Sequence, residues 1–309
     1  MCRAILYTGE PVLVEDLLYQ PDNALVQQAH APQDLGMLNL AGFGMCGWNP
    51  ASPAPDRPWT YRSTTLPFFD ENLRQMSAKL EVTNLLAHVR GVPLDVREGV
   101  FGSHNLHPFQ YAGFRWAMAH NGDVRGFSSI RQELTRLTSP VVAPLVQGTT
   151  DSEFLYALVM SQLDDPRENG DADDLVEAMH RALRILGAVR RSYGLELSSS
   201  VNLFFSNGAD VVACRFVYDF GRYPLSEDGS VPEPAIRYLS LWYSLGQGLA
   251  PSGQGWAAGS TRESATSAMI ASEPLWLDRI AWTEVPEYSI VRIRPSAEGV
   301  SLREYAIDV

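Results

Sequence analysis

The chain reads as an α+β protein in which two mostly antiparallel sheets pack together with helices outside. Two observations predict this. Strand-like segments come first, amphipathic helices follow, and strands return to the C-terminus. That order lacks the regular strand–helix alternation of a doubly wound parallel sheet. The composition is also globular, with 309 residues, 45% hydrophobic and 19% charged. That is enough chain for a full core, and no repeat or low-complexity tract interrupts it.

Residues 2–8 read as a strand ending at Gly9, and 14–19 as a short helix with Pro21 just beyond it. Residues 39–48 carry three glycines among apolar residues, which suggests a strand that backbone approaches closely. Five prolines between 50 and 67 predict a loop over 49–67. Asp70 is placed to cap a helix reaching about Leu80, with Leu73, Met76 and Leu80 on one face. Residues 83–89 predict a buried strand that delivers His88 and Arg90 at its end. Residues 114–119 predict another, ending in His120-Asn121-Gly122-Asp123.

Two capping-box matches follow. Ser129 with Gln132 would open a helix to Leu137, and Thr150 with Glu153 would open a second. Leu175, Met179, Ala182, Leu183, Leu186 and Val189 mark a longer amphipathic helix. Asn207-Gly208 between 200–205 and 210–217 is a strong hairpin signal. Residues 236–245, 268–272, 288–293 and 301–305 read as further strands, and 246–262 as a Gly/Ser/Gln-rich loop.

The formal net charge of −12 argues against nucleic acid or an anionic membrane as partner, since both demand basic surface. No apolar run reaches the ~18–20 residues of a membrane helix. Three widely spaced cysteines, Cys2, Cys46 and Cys214, make neither a disulfide framework nor a zinc ribbon. With no signal-peptide pattern at the N-terminus, a reducing, cytoplasmic setting is expected.

Cys2 directly follows Met1. Removal of Met1 would leave a thiol and a free α-amine on the same residue. An α-amine titrates near ~7.7–8.0 and a thiol near ~8.5. One residue could thus supply both nucleophile and base. Arg90 at a strand end suits a substrate carboxylate, because its planar fork matches one. Asn121 beside Gly122 could offer a side-chain amide and an unhindered backbone N–H together, as an oxyanion hole requires. Asp151, in a helix's first turn, is well placed electrostatically and could hold an ammonium.

The set Met1-Cys2-Arg3, His88-Val89-Arg90, Asn105-Leu106-His107-Pro108-Phe109, His120-Asn121-Gly122 and Thr150-Asp151-Ser152-Glu153 resembles the class II glutamine amidotransferases, which are N-terminal nucleophile hydrolases. It is most similar to their stand-alone subgroup, which includes the γ-glutamyl hydrolase of ergothioneine biosynthesis. Ala271-Ser272-Glu273-Pro274 and Trp282-Thr283-Glu284-Val285-Pro286 resemble that subgroup's C-terminal segment. The resemblance implies an αββα four-layer sandwich and one domain over 1–309, with 49–67 and 246–262 as loop insertions. It implies Cys2 as nucleophile, Asn121 and Gly122 as oxyanion hole, Arg90 for the substrate α-carboxylate and Asp151 for its α-ammonium. His88 and His120, flanking these groups, join the substrate-binding set. No cofactor or metal is called for.

The implied reaction is hydrolysis of a γ-glutamyl amide, glutamine or a larger conjugate, through a γ-glutamyl thioester. The alternatives are a glutaminase subunit that passes ammonia to a separate synthase partner, and an inactive γ-glutamyl-binding subunit. A metallohydrolase built on His88, His104, His107 and His120 is a further reading, but no standard ligand spacing appears. Ala41 stands where the family often has an acid, and Val92 and Pro93 depart from the usual residues after the arginine. These departures count against free glutamine as the preferred substrate and leave room for a larger γ-glutamyl compound.

Overall fold

The computed structural model describes residues 2–34, 38–92, 102–168, 170–222, 240–249, 256–258 and 261–309. In chain order the elements are β1 (Arg3–Leu13), α1 (Val14–Leu18), α2 (Leu25–Gln28), β2 (Phe43–Trp48), β3 (Trp59–Ser63), α3 (Glu71–Ser77), β4 (Glu81–Val89) and β5 (Ala117–Asp123). Three helices follow: α4 (Phe127–Leu137), α5 (Asp151–Met160) and α6 (Ala172–Ser192). The rest is β: β6 (Ser199–Ser206), β7 (Val211–Arg215), β8 (Val217–Tyr218), β9 (Trp242–Leu249), β10 (Trp256–Ala258), β11 (Ser267–Ala271), β12 (Thr283–Glu284), β13 (Ser289–Ser296) and β14 (Gly299–Ala306).

Among the described residues the first sheet runs β10–β9–β11–β1–β4–β2–β3, with β12 added to β9. The second runs β14–β13–β7–β6–β5, with β8 added to β6. Side-chain alternation along the strands makes three apolar layers. Leu6, Leu86, Ile270, Phe204 and Ile293 meet between the sheets. Ile5, Tyr7, Leu85 and Met269 face the other way, onto α1, α2 and α3. Met118, Leu203, Phe205 and Cys214 pack under α4, α5 and α6. The result is the four-layer αββα sandwich. Helices as short as α1 and α2 have no stability alone. Burial of Val14, Leu17, Leu18 and Leu25 holds them, at ~1.5–3 kcal/mol for each large side chain.

Several local expectations change. β1 does not stop at Gly9 but shifts register between Thr8 and Val12. Gly9 there has φ +143°, and a Cβ on it would collide with Ser267. The 49–67 segment is not all loop, because β3 pairs with β2 inside it. Likewise 246–262 contains the end of β9 and all of β10. Of the strand expected over 236–245, residues 236–239 lie outside the described set, and β9 begins at Trp242. Asp70 caps α3 through Leu73 N–H at 3.0 Å, but α3 ends at Ser77 and Met76 is exposed.

Neither capping box forms. α4 begins earlier, after Gly126 in the left-handed region, and the Thr150 side chain makes no cap bond to α5. Glu153 instead accepts from the backbone N–H groups of Gln147 (3.0 Å) and Gly148 and from the Tyr111 hydroxyl (3.3 Å).

Candidate active site

Strand alternation decides which side chains enter the layer between the sheets. In β1, Ala4 and Leu6 face it, so Cys2 carries the same parity. In β4 the face belongs to Leu86, and therefore to His88 and Arg90 beyond it. In β5 it belongs to Ala117 and Ala119, and therefore to Asn121. After β11, whose Ala268 and Ile270 face inward, comes Ser272. Ala4 is in register with His88, and Ile5 with Ala271, so these strand ends meet at one end of the sandwich.

Cys2 is half-buried. Its Sγ lies 3.5 Å from the Gly91 N–H, from which it accepts, and 3.7 Å from the Gly91 carbonyl. The following residue is anchored strongly. Arg3, 4% exposed, donates from Nη1 to the Cys2 carbonyl at 3.0 Å and pairs through Nε with Glu273 Oε2 at 3.4 Å. Glu273 is fully buried and also accepts from Asn23 Nδ2 and from the backbone N–H groups of Gln33 and Asp34. A buried ion pair is tolerable only when hydrogen bonds satisfy its remaining lone pairs, and these do.

Asn121 Nδ2 donates to Ser272 Oγ. That hydroxyl also accepts from the Ala4 N–H at 2.9 Å and donates to the Ala4 carbonyl at 3.3 Å. A primary amide has two N–H bonds, so one remains for a ligand. Gly122 is fixed sterically, since a Cβ there would collide with the Ser200 carbonyl and the His120 ring.

Arg90 is buried. Burial lowers its pKa from the usual value, while the charges of Cys2 and Asp151 act the other way. Its backbone is clamped, with Arg90 N–H donating to Gly42 O and Ala41 N–H to Arg90 O, both at 2.8 Å. Ala41 and Val92 therefore sit beside Arg90, while Pro93 lies outside the described residues. Asp151 does not point freely into the layer between the sheets. Its carboxylate accepts from Val124 N–H at 2.7 Å and Ser152 N–H at 2.8 Å, joining the start of α5 to the end of β5.

His120 has the opposite parity to Asn121 and faces α5. Nε2 lies 3.3 Å from the Ser200 carbonyl, which can only accept, so Nε2 carries the proton. Nδ1 then accepts from Ser152 Oγ at 2.9 Å. Burial holds His120 neutral. His88 and His107 form a second buried group, with ring centroids 4.0 Å apart. Burial, and next the Arg90 charge, push His88 down to about 3. Burial, and next His88, push His107 well below its usual value. These neutral rings suit packing behind Arg90 more than proton transfer near neutral pH. His104 is exposed, whereas the other three are buried. Among the described residues no group of His, Cys, Asp or Glu side chains is arranged to hold a metal ion, and no helix is long and apolar enough to cross a membrane.

The structure thus brings Cys2, His88, Arg90 and Asn121 to one inter-sheet end. His120, Gly122 and Asp151 lie on the helix side just behind it. Ser272 and Glu273 also belong here. Their only signal in the sequence was the Ala271–Pro274 likeness, with no role attached.

Known proteins resemble the chain in sequence and in fold. Residues 68–217 match the model of the class-II glutamine amidotransferases. The chain is 26% identical over 312 residues to the probable glutamine amidotransferase DUG3 of Saccharomyces cerevisiae, covering 95% of this chain and 82% of that one. It is 26% identical over 223 residues to the gamma-glutamyl-hercynylcysteine sulfoxide hydrolase of Mycolicibacterium smegmatis, covering 69% and 78%. A glutamine aminotransferase class-II domain protein from Silicibacter pomeroyi superposes with a TM-score of 0.60 at 23% identity, over 99% of this chain and 100% of that chain. Glutamine phosphoribosylpyrophosphate amidotransferase from B. subtilis gives 0.56 at 15% identity, with all of this chain on 50% of that one. The four-layer fold is shared with both of these solved structures. Residues 68–217 are thus similar to the class-II glutamine amidotransferases, and the whole chain shares the fold of the amidotransferase structures.

Proposed function

We propose that the protein hydrolyses a γ-glutamyl amide, with Cys2 as nucleophile and the α-amine left by removal of Met1 as base. The observation that carries this reading is the shared inter-sheet position of the Cys2 thiol, the Arg90 guanidinium and the Asn121 amide. Nucleophile, anion clamp and oxyanion donor are what attack on an amide needs. The hydrolase relative from M. smegmatis, whose name specifies a γ-glutamyl compound, supports the substrate class.

Arg90 binds the substrate α-carboxylate, and Asp151, through the lone pairs that its Val124 and Ser152 contacts leave, its α-ammonium, while the His88 and His120 rings pack behind these groups. The thiol proton passes to the α-amine. Sγ bonds to the γ-carbonyl carbon, and the C=O electron pair moves onto oxygen, where the second N–H of Asn121 and the Gly122 N–H meet it. The tetrahedral adduct collapses, the C–N bond breaks, and the amine departs with the proton held by the N-terminus. Water then adds to the γ-glutamyl thioester by the same route, releasing glutamate and the Cys2 thiol. Ala41 and Val92 beside Arg90 favour a conjugate over free glutamine.

The test is turnover of a panel of γ-glutamyl amides, including glutamine and γ-glutamyl-p-nitroanilide, with Cys2→Ala as control. Release of glutamate by the wild type alone is expected. Saturable binding of the panel without glutamate release would support an inactive binding subunit instead.

A further inference from the structure

We propose that Ser272 is a positioning residue of the site, whose hydroxyl orients the Asn121 amide against the strand that carries Cys2. The inference rests on Asn121 being an oxyanion donor.

The geometry around Ser272 is saturated. A serine hydroxyl has one donor and two acceptor sites. Here it donates to the Ala4 carbonyl and accepts from the Ala4 N–H and from Asn121 Nδ2. Its own N–H donates to the Ala4 carbonyl at 3.0 Å, and the Ser240 hydroxyl donates to its carbonyl at 2.8 Å. Neither the hydroxyl nor the backbone is free to turn. Ala4 belongs to the first sheet and Asn121 to the second, so Ser272 ties one sheet to the other. The layer it enters is otherwise lined by Ala268, Ile270, Ala119 and Phe204. An alanine would fit among them, and a buried hydroxyl costs stability unless it is bonded. A serine at this position is explained by what it holds.

The consequence is directional. Ser272 occupies one N–H of the Asn121 amide and so sets the direction of the other. An oxyanion donor acts through preorganisation, so a loose amide loses most of its effect. Glu273, the next residue, holds the other partner, because it fixes Arg3, which fixes the Cys2 carbonyl. Two consecutive residues therefore hold the donor and the nucleophile in relation to each other.

The experiment uses Ser272→Ala and Ser272→Thr, each with Asn121 intact and with Asn121→Ala. Steady-state turnover of γ-glutamyl-p-nitroanilide gives kcat and KM. With Asn121 intact, Ser272→Ala should lower kcat by about 10–100-fold and leave KM within about 3-fold, as expected for a group acting in the transition state. Ser272→Thr, which keeps the hydroxyl, should restore kcat to within about 5-fold. Without Asn121, Ser272→Ala should change kcat by less than about 3-fold, since residues acting as a unit are not additive. An equal loss in both backgrounds, or a change in KM alone, would overturn the proposal.

A second measurement needs no turnover. The side-chain NH₂ pair of Asn121, assigned in ¹H–¹⁵N spectra by its disappearance in Asn121→Ala, should move in Ser272→Ala and stay in Ser272→Thr. An unmoved pair overturns the tie. A moved pair in a protein that turns over no γ-glutamyl amide supports the tie and overturns the functional reading.

Discussion

Cys2 and Cys46 face the same layer between the sheets, yet the surroundings give them opposite chemistry. Cys46 lies in β2 with 1% of its surface exposed, among Leu6, Leu86 and Phe204. Burial pushes its thiol well above the usual range, and a thiol that cannot ionise is not a nucleophile. Cys2 lies at the end of that layer, half-buried, against the Gly91 backbone and near the Arg90 cation. The apolar middle of the sandwich fixes the spacing of the two sheets. The end, where Cys2, Arg90, Asn121 and Ser272 replace Leu and Ile, uses that spacing to hold polar groups apart at fixed distances. The same strands do both jobs, and parity and position along the strand decide which.

Substitutions should therefore separate the two regions. The largest effect is expected from Cys2→Ala, which should reduce turnover by about 10⁴-fold or more, as nucleophile removal does elsewhere. Cys46→Ala should leave kcat nearly unchanged and lower unfolding stability by roughly 1–3 kcal/mol through the cavity it opens. Denaturant titration and steady-state kinetics on both variants check the pair. Asn121→Ala comes next, with a kcat loss of about 10²–10³-fold and no matching rise in KM. Arg90→Lys should raise KM by about 10–100-fold, because an ammonium cannot replace the bidentate fork. A fall in kcat alone in Arg90→Lys would place Arg90 outside substrate binding.

The smallest effect concerns pH. His88, His107 and His120 are held neutral in the fold, with His88 down at about 3, while an unfolded histidine titrates near ~6.5. Between those values the unfolded chain binds more protons, so stability should rise with pH across that window. The contribution is fully present above about pH 6.5 and is lost as pH falls toward 3. Unfolding midpoints from pH 7 down to pH 4 should fall steadily, and less steeply in His88→Gln.

Much of this was legible in the sequence, for a definable reason. The helix capped by Asp70, the Asn207-Gly208 hairpin and the amphipathic α6 are local signals, and each formed. The paired sheets followed from element order alone. The 49–67 segment was misleading because its prolines cluster before Trp59, leaving the five residues of β3 room to pair with β2. Asn-Gly is usually a turn dipeptide, yet β5 runs through Asn121-Gly122 to Asp123, and Asn121 pairs with Asn202. The Thr150/Glu153 box failed because Glu153 found better donors in the backbone of residues 147 and 148. Ser272 and Glu273 were not legible as site residues, since their partners Ala4 and Arg3 lie 268 and 270 positions away. Local periodicity holds no record of such contacts.

The most direct measurement is the intact mass of the purified, untagged protein before and after an electrophilic diazo-ketone analogue of glutamine, with peptide mapping of any adduct. Loss of Met1 and a single adduct on Cys2, with Cys46 and Cys214 unmodified, is the predicted result. Retention of Met1, or labelling that Cys2→Ala leaves unchanged, would contradict the claim that an N-terminal cysteine is the nucleophile.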